Sequence, residues 1–232
     1  MMRTFVMGDI HGANRALQQC LERSGFNPIN DHLICLGDVC DGWPETRQAI
    51  NTLLTLTHLT YLLGNHDYWT LQWMSHGFEE NAWLDQGGKA TIASYEGIPD
   101  PAHARFLADA PLYYEYENRF FVHAGFETDR PVAEQEAEVL LWDRTLARLA
   151  LVHYYGGNYF PITHYDEVYI GHTPTPFGQP VLGGGVWLMD TGAGWAGRLT
   201  MMDIHTKEIF ASDPVPSLYP GVPPRQRKQP SA

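Results

Sequence analysis

Six short apolar runs, each ending on a polar or ionisable residue beside glycine, constrain this chain most. Residues 4–7 lead into Gly8-Asp9, and residues 32–36 into Gly37-Asp38. Residues 60–63 lead into Gly64-Asn65-His66-Asp67, and residues 120–122 into His123-Ala124-Gly125. Residues 168–170 lead into Gly171-His172-Thr173, and residues 186–189 into Asp190-Thr191-Gly192. Runs this short, rich in β-branched and aromatic side chains, read as buried strands. Between the first two, Ala16, Leu17, Cys20 and Leu21 fall at helical spacing, and Gly25 supplies a C-terminal stop. Ala49, Ile50, Leu53 and Leu54 repeat the pattern before the third run. The N-terminal third therefore reads β-α-β-α-β, an α/β class with a mainly parallel sheet. Residues 112–121 and 187–209 read as hairpins that add antiparallel strands.

In open α/β sheets, sites form beyond the carboxyl ends of strands. One polar residue after a strand is ordinary turn chemistry. Six such ends carrying Asp, His, Asn and Gly together are not explained as turns. Asp9 and His11, two apart, project to one face of an extended segment. With Asp38, Asn65, His123 and His172 they offer three nitrogen and three oxygen donors. That is too many for one closed tetrahedral zinc site. It suits two adjacent divalent ions sharing a carboxylate, an arrangement that activates water and clamps the oxygens of an in-line displacement.

Composition narrows the class. The chain has 232 residues, 44% hydrophobic and 18% charged, which suits a globular core rather than disorder. A net charge of −12 argues against a nucleic-acid binder working through a basic face. It does not bar an anionic substrate, because bound cations invert the local field. No apolar run approaches the ~18 residues of a membrane span, and Gly8-Asp9 interrupts the N-terminal run too early for a signal peptide. Cys20, Cys35 and Cys40 show no paired spacing and read as buried free thiols of a reducing, cytoplasmic compartment. Residues 214–232 hold six prolines, three bases and no acid, so residues 1–213 carry −15. Proline removes amide donors; the expectation is a domain over 1–213 and a disordered, basic, Pro-rich tail over 214–232.

Gly8-Asp9-Ile10-His11-Gly12, Gly37-Asp38-Val39-Cys40-Asp41-Gly42, Gly64-Asn65-His66-Asp67, His123-Ala124-Gly125 and Gly171-His172-Thr173 resemble, in order and rough spacing, the five blocks of the calcineurin-like metallophosphoesterases. The resemblance covers roughly residues 3–204. It lies nearest the phosphoprotein-phosphatase branch, with its small bacterial and phage serine/threonine phosphatases and the diadenosine tetraphosphatases. It implies a four-layer α/β/β/α sandwich with mixed sheets and metals at the strand-end rim. It also implies that Asp9 and His11 hold a first metal, that Asp38 bridges, and that Asn65, His123 and His172 complete a second. A hydroxide between the ions attacks phosphorus, His66 protonates the leaving-group oxygen, and Asp41 orients His66. Manganese is the first expectation for the two ions, with iron or zinc as alternatives.

The sequence departs from the family after Asp41. The protein phosphatases carry an arginine there that grips the substrate phosphate; this chain has Gly42. Arg144, in Trp142-Asp143-Arg144, resembles a second phosphate-binding arginine of the phage-type enzymes and becomes the expected clamp. Trp43 is open between core packing and stacking on a substrate ring, while Trp142 reads as core. Gly87-Gly88 reads as a structural turn, and His153 is the most tempting of the remaining histidines. The expected substrates are a phosphorylated protein or, alternatively, a dinucleoside polyphosphate or other small phosphoester, with no nucleic-acid or membrane partner. A non-catalytic scaffold on the same fold is the competing class, and the presence of every expected ligand argues against it.

Overall fold

The computed structural model describes residues 2–225. The chain runs β1 (Thr4–Met7), α1 (Asn14–Arg23), β2 (His32–Cys35), α2 (Thr46–Leu54) and β3 (His58–Tyr61). A helical stretch follows: α3 (Asn65–His76), α4 (Asn81–Trp83), α5 (Lys89–Ser94) and α6 (Pro101–Ala108). The hairpin β4 (Tyr113–Tyr116) and β5 (Arg119–Val122) then leads to α7 (Ala137–Trp142), α8 (Thr145–Gly156) and β6 (Glu167–Ile170). Strands β7 (Val181–Gly183), β8 (Val186–Leu188), β9 (Thr200–Asp203) and β10 (Ile209–Ala211) precede α9 (Val215–Leu218).

Two five-stranded sheets result, ordered β10-β9-β1-β2-β3 and β4-β5-β6-β8-β7. In the first, β1, β2 and β3 pair in parallel, as the β-α-β-α-β reading requires, while β9 joins β1 antiparallel. In the second, β5, β6 and β8 are parallel and β4 and β7 flank them antiparallel. Both sheets are therefore mixed.

Strand alternation builds the layers. Phe5, Met7, Leu33 and Cys35 face Ala16, Leu17, Ala49 and Ile50 of α1 and α2. Val6 and Ile34, between them in sequence, face the other way and meet Phe121, Tyr169 and Met189 of the second sheet. Phe120, Val122, Val168 and Ile170 point outward onto Leu140, Leu146, Ala147 and Ala150 of α7 and α8. Period-2 side-chain direction thus gives each central strand two apolar faces, one for helices and one for the partner sheet. This is the expected α/β/β/α sandwich. The three cysteines are free and buried, as expected.

Two expectations are corrected. Residues 112–121 do form the β4–β5 hairpin, but 187–209 do not form one: β8 and β9 belong to different sheets. The chain between them crosses the sandwich, and β9 pairs antiparallel with β1 and with β10 instead. Alternation within each strand was visible in the sequence; which sheet receives it was not.

The tail is the second correction. Residues 214–225 are packed rather than disordered, whereas 226–232 lie outside the described residues. Val215 and Tyr219 are buried, and Tyr219 stacks on Trp43 at 5.3 Å. Its hydroxyl donates to Glu45. Proline at the start of α9 is compatible with a helix because the first-turn amides have no intrahelical partner. Two apolar anchors outweigh the missing donors.

Phe121 lies flat on Tyr169, centroids 4.9 Å apart, between the two sheets. Phe121→Ala is expected to destabilise the fold by ~3–5 kcal/mol, read as a lowered midpoint in urea unfolding.

Candidate active site

Four of the eight non-glycine residues with left-handed φ among those described are expected site residues: His11, Asp38, Asp41 and His172. Each follows a strand, and the left-handed turn swings its side chain back over the carboxyl edge of the sheets. Such conformations cost of order ~1–3 kcal/mol each and cluster at functional positions. Glycines make room for them. A Cβ on Gly64 would lie 2.1 Å from Asp38 Oδ1, and one on Gly171 would lie 2.2 Å from Asp9 Oδ1.

All six expected ligands converge, each between 0 and 7% exposed. Asp38 is central. Its Oδ1 accepts the His66 amide at 2.9 Å, in the first turn of α3, where the helix dipole favours an anion. Its Oδ2 lies 3.7 Å from His11 Nε2 and 3.5 Å from His123 Nε2. It therefore stands between a histidine of the first sheet's rim and one of the second's. Asp9 Oδ2 is 3.9 Å from His11 Nε2, and the Asp9 carboxylate accepts the His172 amide. Asn65 Oδ1 lies 2.9 Å from His123 Nε2 and 2.8 Å from His172 Nδ1.

The tautomers follow from the outer contacts. His11 Nδ1 lies 3.0 Å from the Cys40 carbonyl, His123 Nδ1 2.7 Å from the Leu36 carbonyl, and His172 Nε2 3.2 Å from the Trp142 carbonyl. A carbonyl only accepts, so in each ring that nitrogen carries the proton. The other nitrogen then turns a lone pair inward, toward carboxyl and amide oxygens. Backbone carbonyls that orient histidines in this way are the usual outer support of metal ligands. Two tight groups result, His11-Asp38-His66 and Asp38-His123-His172, sharing Asp38. Apart from the His66 and His172 amides and a guanidinium at its edge, the cluster is made of acceptors, which fits divalent cations held by mixed N and O ligands.

Electrostatics gives the same answer. Burial pushes the Asp9 and Asp38 carboxyls well above their ordinary range, and neighbouring carboxylates, Asp190 beside Asp9 and Asp67 beside Asp38, push them further. Burial also lowers the imidazoles, His123 to about 4 and His172 to about 2. The protein alone thus disfavours every charge in the cluster, and bound cations would supply the compensating field.

His66 stands at the edge of this cluster, and its Nδ1 lies 2.8 Å from Asp41 Oδ2. Asp41 is fully buried and accepts from Trp83 Nε1 at 2.7 Å and Thr91 Oγ1 at 2.7 Å. Burial raises its carboxyl to about 7 against the pull of these hydrogen bonds. Trp83 and Thr91 flank Gly87-Gly88, so that turn is structural and holds the Asp41 support in place. Gly88 abuts the Trp83 indole so closely that a Cβ would lie 2.4 Å from it.

Asp67 is a further support that the sequence reading passed over. It accepts the Asp38, Cys40 and Gly64 amides and the Tyr61 hydroxyl, which fixes the Asp38 loop to the start of α3. A four-acceptor role for one carboxylate has no signature in spacing.

Arg144 is exposed at the start of α8, and its charge adds a smaller push to the burial that lowers His66, His123 and His172. It faces the site without a hydrogen bond to the ligand cluster among the described residues. Trp43 is core, its indole donating to the Ala193 carbonyl. Trp142 is half-buried and packs edge-on against Trp69, which in turn meets His66 edge-on, so the pair forms an aromatic wall at the site. His153 instead lies against the Gly184 turn. Unforeseen altogether was Arg225, whose guanidinium lies beside His66 and His11.

A model of calcineurin-like phosphoesterases matches residues 2–181. Serine/threonine-protein phosphatase 1 of Salmonella typhimurium is 28% identical over 205 residues, covering 87% of this chain and 91% of that protein. A symmetrical bis(5'-nucleosyl)-tetraphosphatase of Nitrosomonas europaea is 27% identical over 125 residues, and there the match spans only 45% of the relative. One of Pseudomonas fluorescens is 26% identical across 94% of this chain and 98% of its own. Among solved structures, a protein provisionally assigned as a diadenosine tetraphosphatase superposes with a TM-score of 0.67 at 19% identity, covering 90% of this chain and 92% of its own. With the family model spanning most of the sandwich and its strand-end cluster, this chain belongs to the calcineurin-like phosphoesterases.

Proposed function

We propose that this metal-dependent phosphoesterase uses two divalent ions and acts on phosphoserine or phosphothreonine in proteins. The observation that carries the two-ion reading is the position of Asp38 Oδ2 between His11 Nε2 and His123 Nε2. Asp9, His11 and Asp38 would hold one ion, and Asp38, Asn65, His123 and His172 the other. Such a pair, when bound, would supply a water-derived nucleophile and offset charge on the phosphoryl oxygens. Manganese, iron and zinc all accept this donor set. Three free buried thiols support a cytoplasmic location.

The protein's own residues do the rest. His66 is proposed as general acid: its Nδ1 proton is held by Asp41, and its Nε2 is the end that meets the leaving-group oxygen. Asp41 fixes the ring and stabilises its cationic form, while Trp83 and Thr91 fix Asp41. Arg144 adds positive potential on the open side. The match to serine/threonine-protein phosphatase 1 over nearly the whole of both chains supports the phosphoprotein substrate. Two observations favour a dinucleoside polyphosphate instead: Gly42 stands where the protein phosphatases place an arginine, and the half-buried Trp69–Trp142 pair beside His66 is suited to a flat ring.

Turnover of phosphopeptides, diadenosine tetraphosphate and p-nitrophenyl phosphate by manganese-loaded protein separates these readings. Phosphopeptide turnover with the highest kcat/KM is expected, and preference for the dinucleotide would overturn it. His66→Asn is expected to lower kcat on an alkyl phosphate by ~10²–10⁴ at unchanged metal content; an unchanged rate refutes the role. Asp38→Asn is expected to lose both ions by elemental analysis, and two retained equivalents would contradict bridging.

A further inference from the structure

The C-terminal segment returns to the site and inserts one side chain. Beyond the Tyr219–Trp43 anchor, Arg225 enters a slot whose sides are Gly42, Gly87 and Gly194. A Cβ on Gly194 would lie 2.4 Å from its Nη2, one on Gly87 3.1 Å from its Cδ, and one on Gly42 3.6 Å from its Nε. The slot has room for this side chain because none of the three carries its own.

The guanidinium is fixed on one side and open on the other. Nε donates to the Gly194 carbonyl at 3.0 Å and Nη1 to the Gln86 carbonyl at 2.6 Å. The plane lies over the Trp195 ring, 4.6 Å from its centroid. The remaining edge points at His66 Nε2, 3.3 Å from Nη1, and at His11 Nε2, 3.2 Å from Nη2. Those nitrogens are the ends proposed to donate a proton and to hold a cation. A phosphoryl group reacting there must lie against both, and so against this edge.

We infer that Arg225 is a substrate-binding residue, supplying from the C-terminal segment the phosphate-gripping guanidinium that position 42 lacks. A planar fork with two outward N–H groups matches two phosphoryl oxygens. Burial lowers the guanidinium somewhat from its ordinary value, partly offset by Asp41, Asp38, Asp190 and Asp9, and arginine remains charged at neutral pH. His11 Nε2, once committed to a cation, leaves the Nη2 donor for an anion. The close approach of Arg225 to Gly42 explains how a glycine is tolerated after Asp41: the charge comes from 183 positions further along the chain, as the residue numbers give. The packed Pro214–Tyr219 stretch, with its aromatic anchor, brings it there.

This inference rests on the phosphoesterase reading, and the test separates the two. Full-length manganese-loaded wild type, Arg225→Gln and Arg225→Lys are compared for binding of inorganic phosphate by calorimetry, for metal content, and for kcat and KM on p-nitrophenyl phosphate. Arg225→Gln is expected to weaken phosphate binding by roughly 10- to 100-fold, the worth of a charged hydrogen-bonded contact. It should raise KM while metal content stays unchanged. Arg225→Lys, which keeps the charge and loses the fork, should recover part of the affinity. Equal phosphate affinity in wild type and Arg225→Gln overturns the inference and leaves the phosphoesterase reading intact. A lower KM or tighter metal binding in Arg225→Gln also overturns it, and identifies the arginine as a plug. A wild type that neither binds phosphate nor turns over substrate overturns the phosphoesterase reading and takes this inference with it.

Discussion

Lone pairs facing lone pairs are the constraint on which the structure depends. His11, His123 and His172 each give a ring proton to a backbone carbonyl, and each is left with an acceptor nitrogen directed at carboxylate or amide oxygens. In a buried volume, acceptors without donors repel one another and lack solvation. Positive charge relieves this arrangement. The carbonyls of Leu36, Cys40 and Trp142 are therefore as much part of the site as the rings they orient. Those of Leu36 and Cys40 belong to the loop after β2 and that of Trp142 to the end of α7, on the two halves of the sandwich, which explains why the sandwich must close before the site exists.

The cost of that convergence is taken up by the backbone. His11, Asp38, Asp41 and His172 adopt a conformation that L-residues avoid, and Gly64 and Gly171 leave no space for a side chain beside Asp38 and Asp9. Strain of this kind persists only where surrounding structure over-determines it. Here the surrounding structure is Asp67, which ties four donors around the Asp38 loop, and the Trp83–Thr91 pair, which ties Asp41. Rigid support on strand ends gives the geometric precision that proton transfer and phosphoryl transfer demand.

Positive charge reaches the site from two directions. Arg144 approaches from α8 and acts at a distance on three histidines. Arg225 arrives from the chain's last described residues and touches two. A net charge of −12 does not keep an anionic substrate away when the local field is set by cations and guanidinium groups at a buried rim.

The β-α-β-α-β start, the strand-end position of the site and the six residues that converge there were legible in the sequence. Apolar runs and chemistry-bearing residues are local signals, and the five blocks occur in order. The sequence also placed His66 next to Asn65 and Asp41 three residues after Asp38, although not the 2.8 Å contact between His66 and Asp41. The tertiary structure alone decided that the chain crosses between sheets after β8, because alternation marks a buried face and not its partner. It likewise decided that Trp83, Thr91 and Asp67 support the site and that Trp43 packs against Tyr219. These contacts join residues far apart in sequence or buried by neighbours that spacing does not reveal. The tail is the sharpest instance: its prolines argued locally for disorder, and two distant aromatic rings, Trp43 and Trp195, gave its tyrosine and arginine a place to pack.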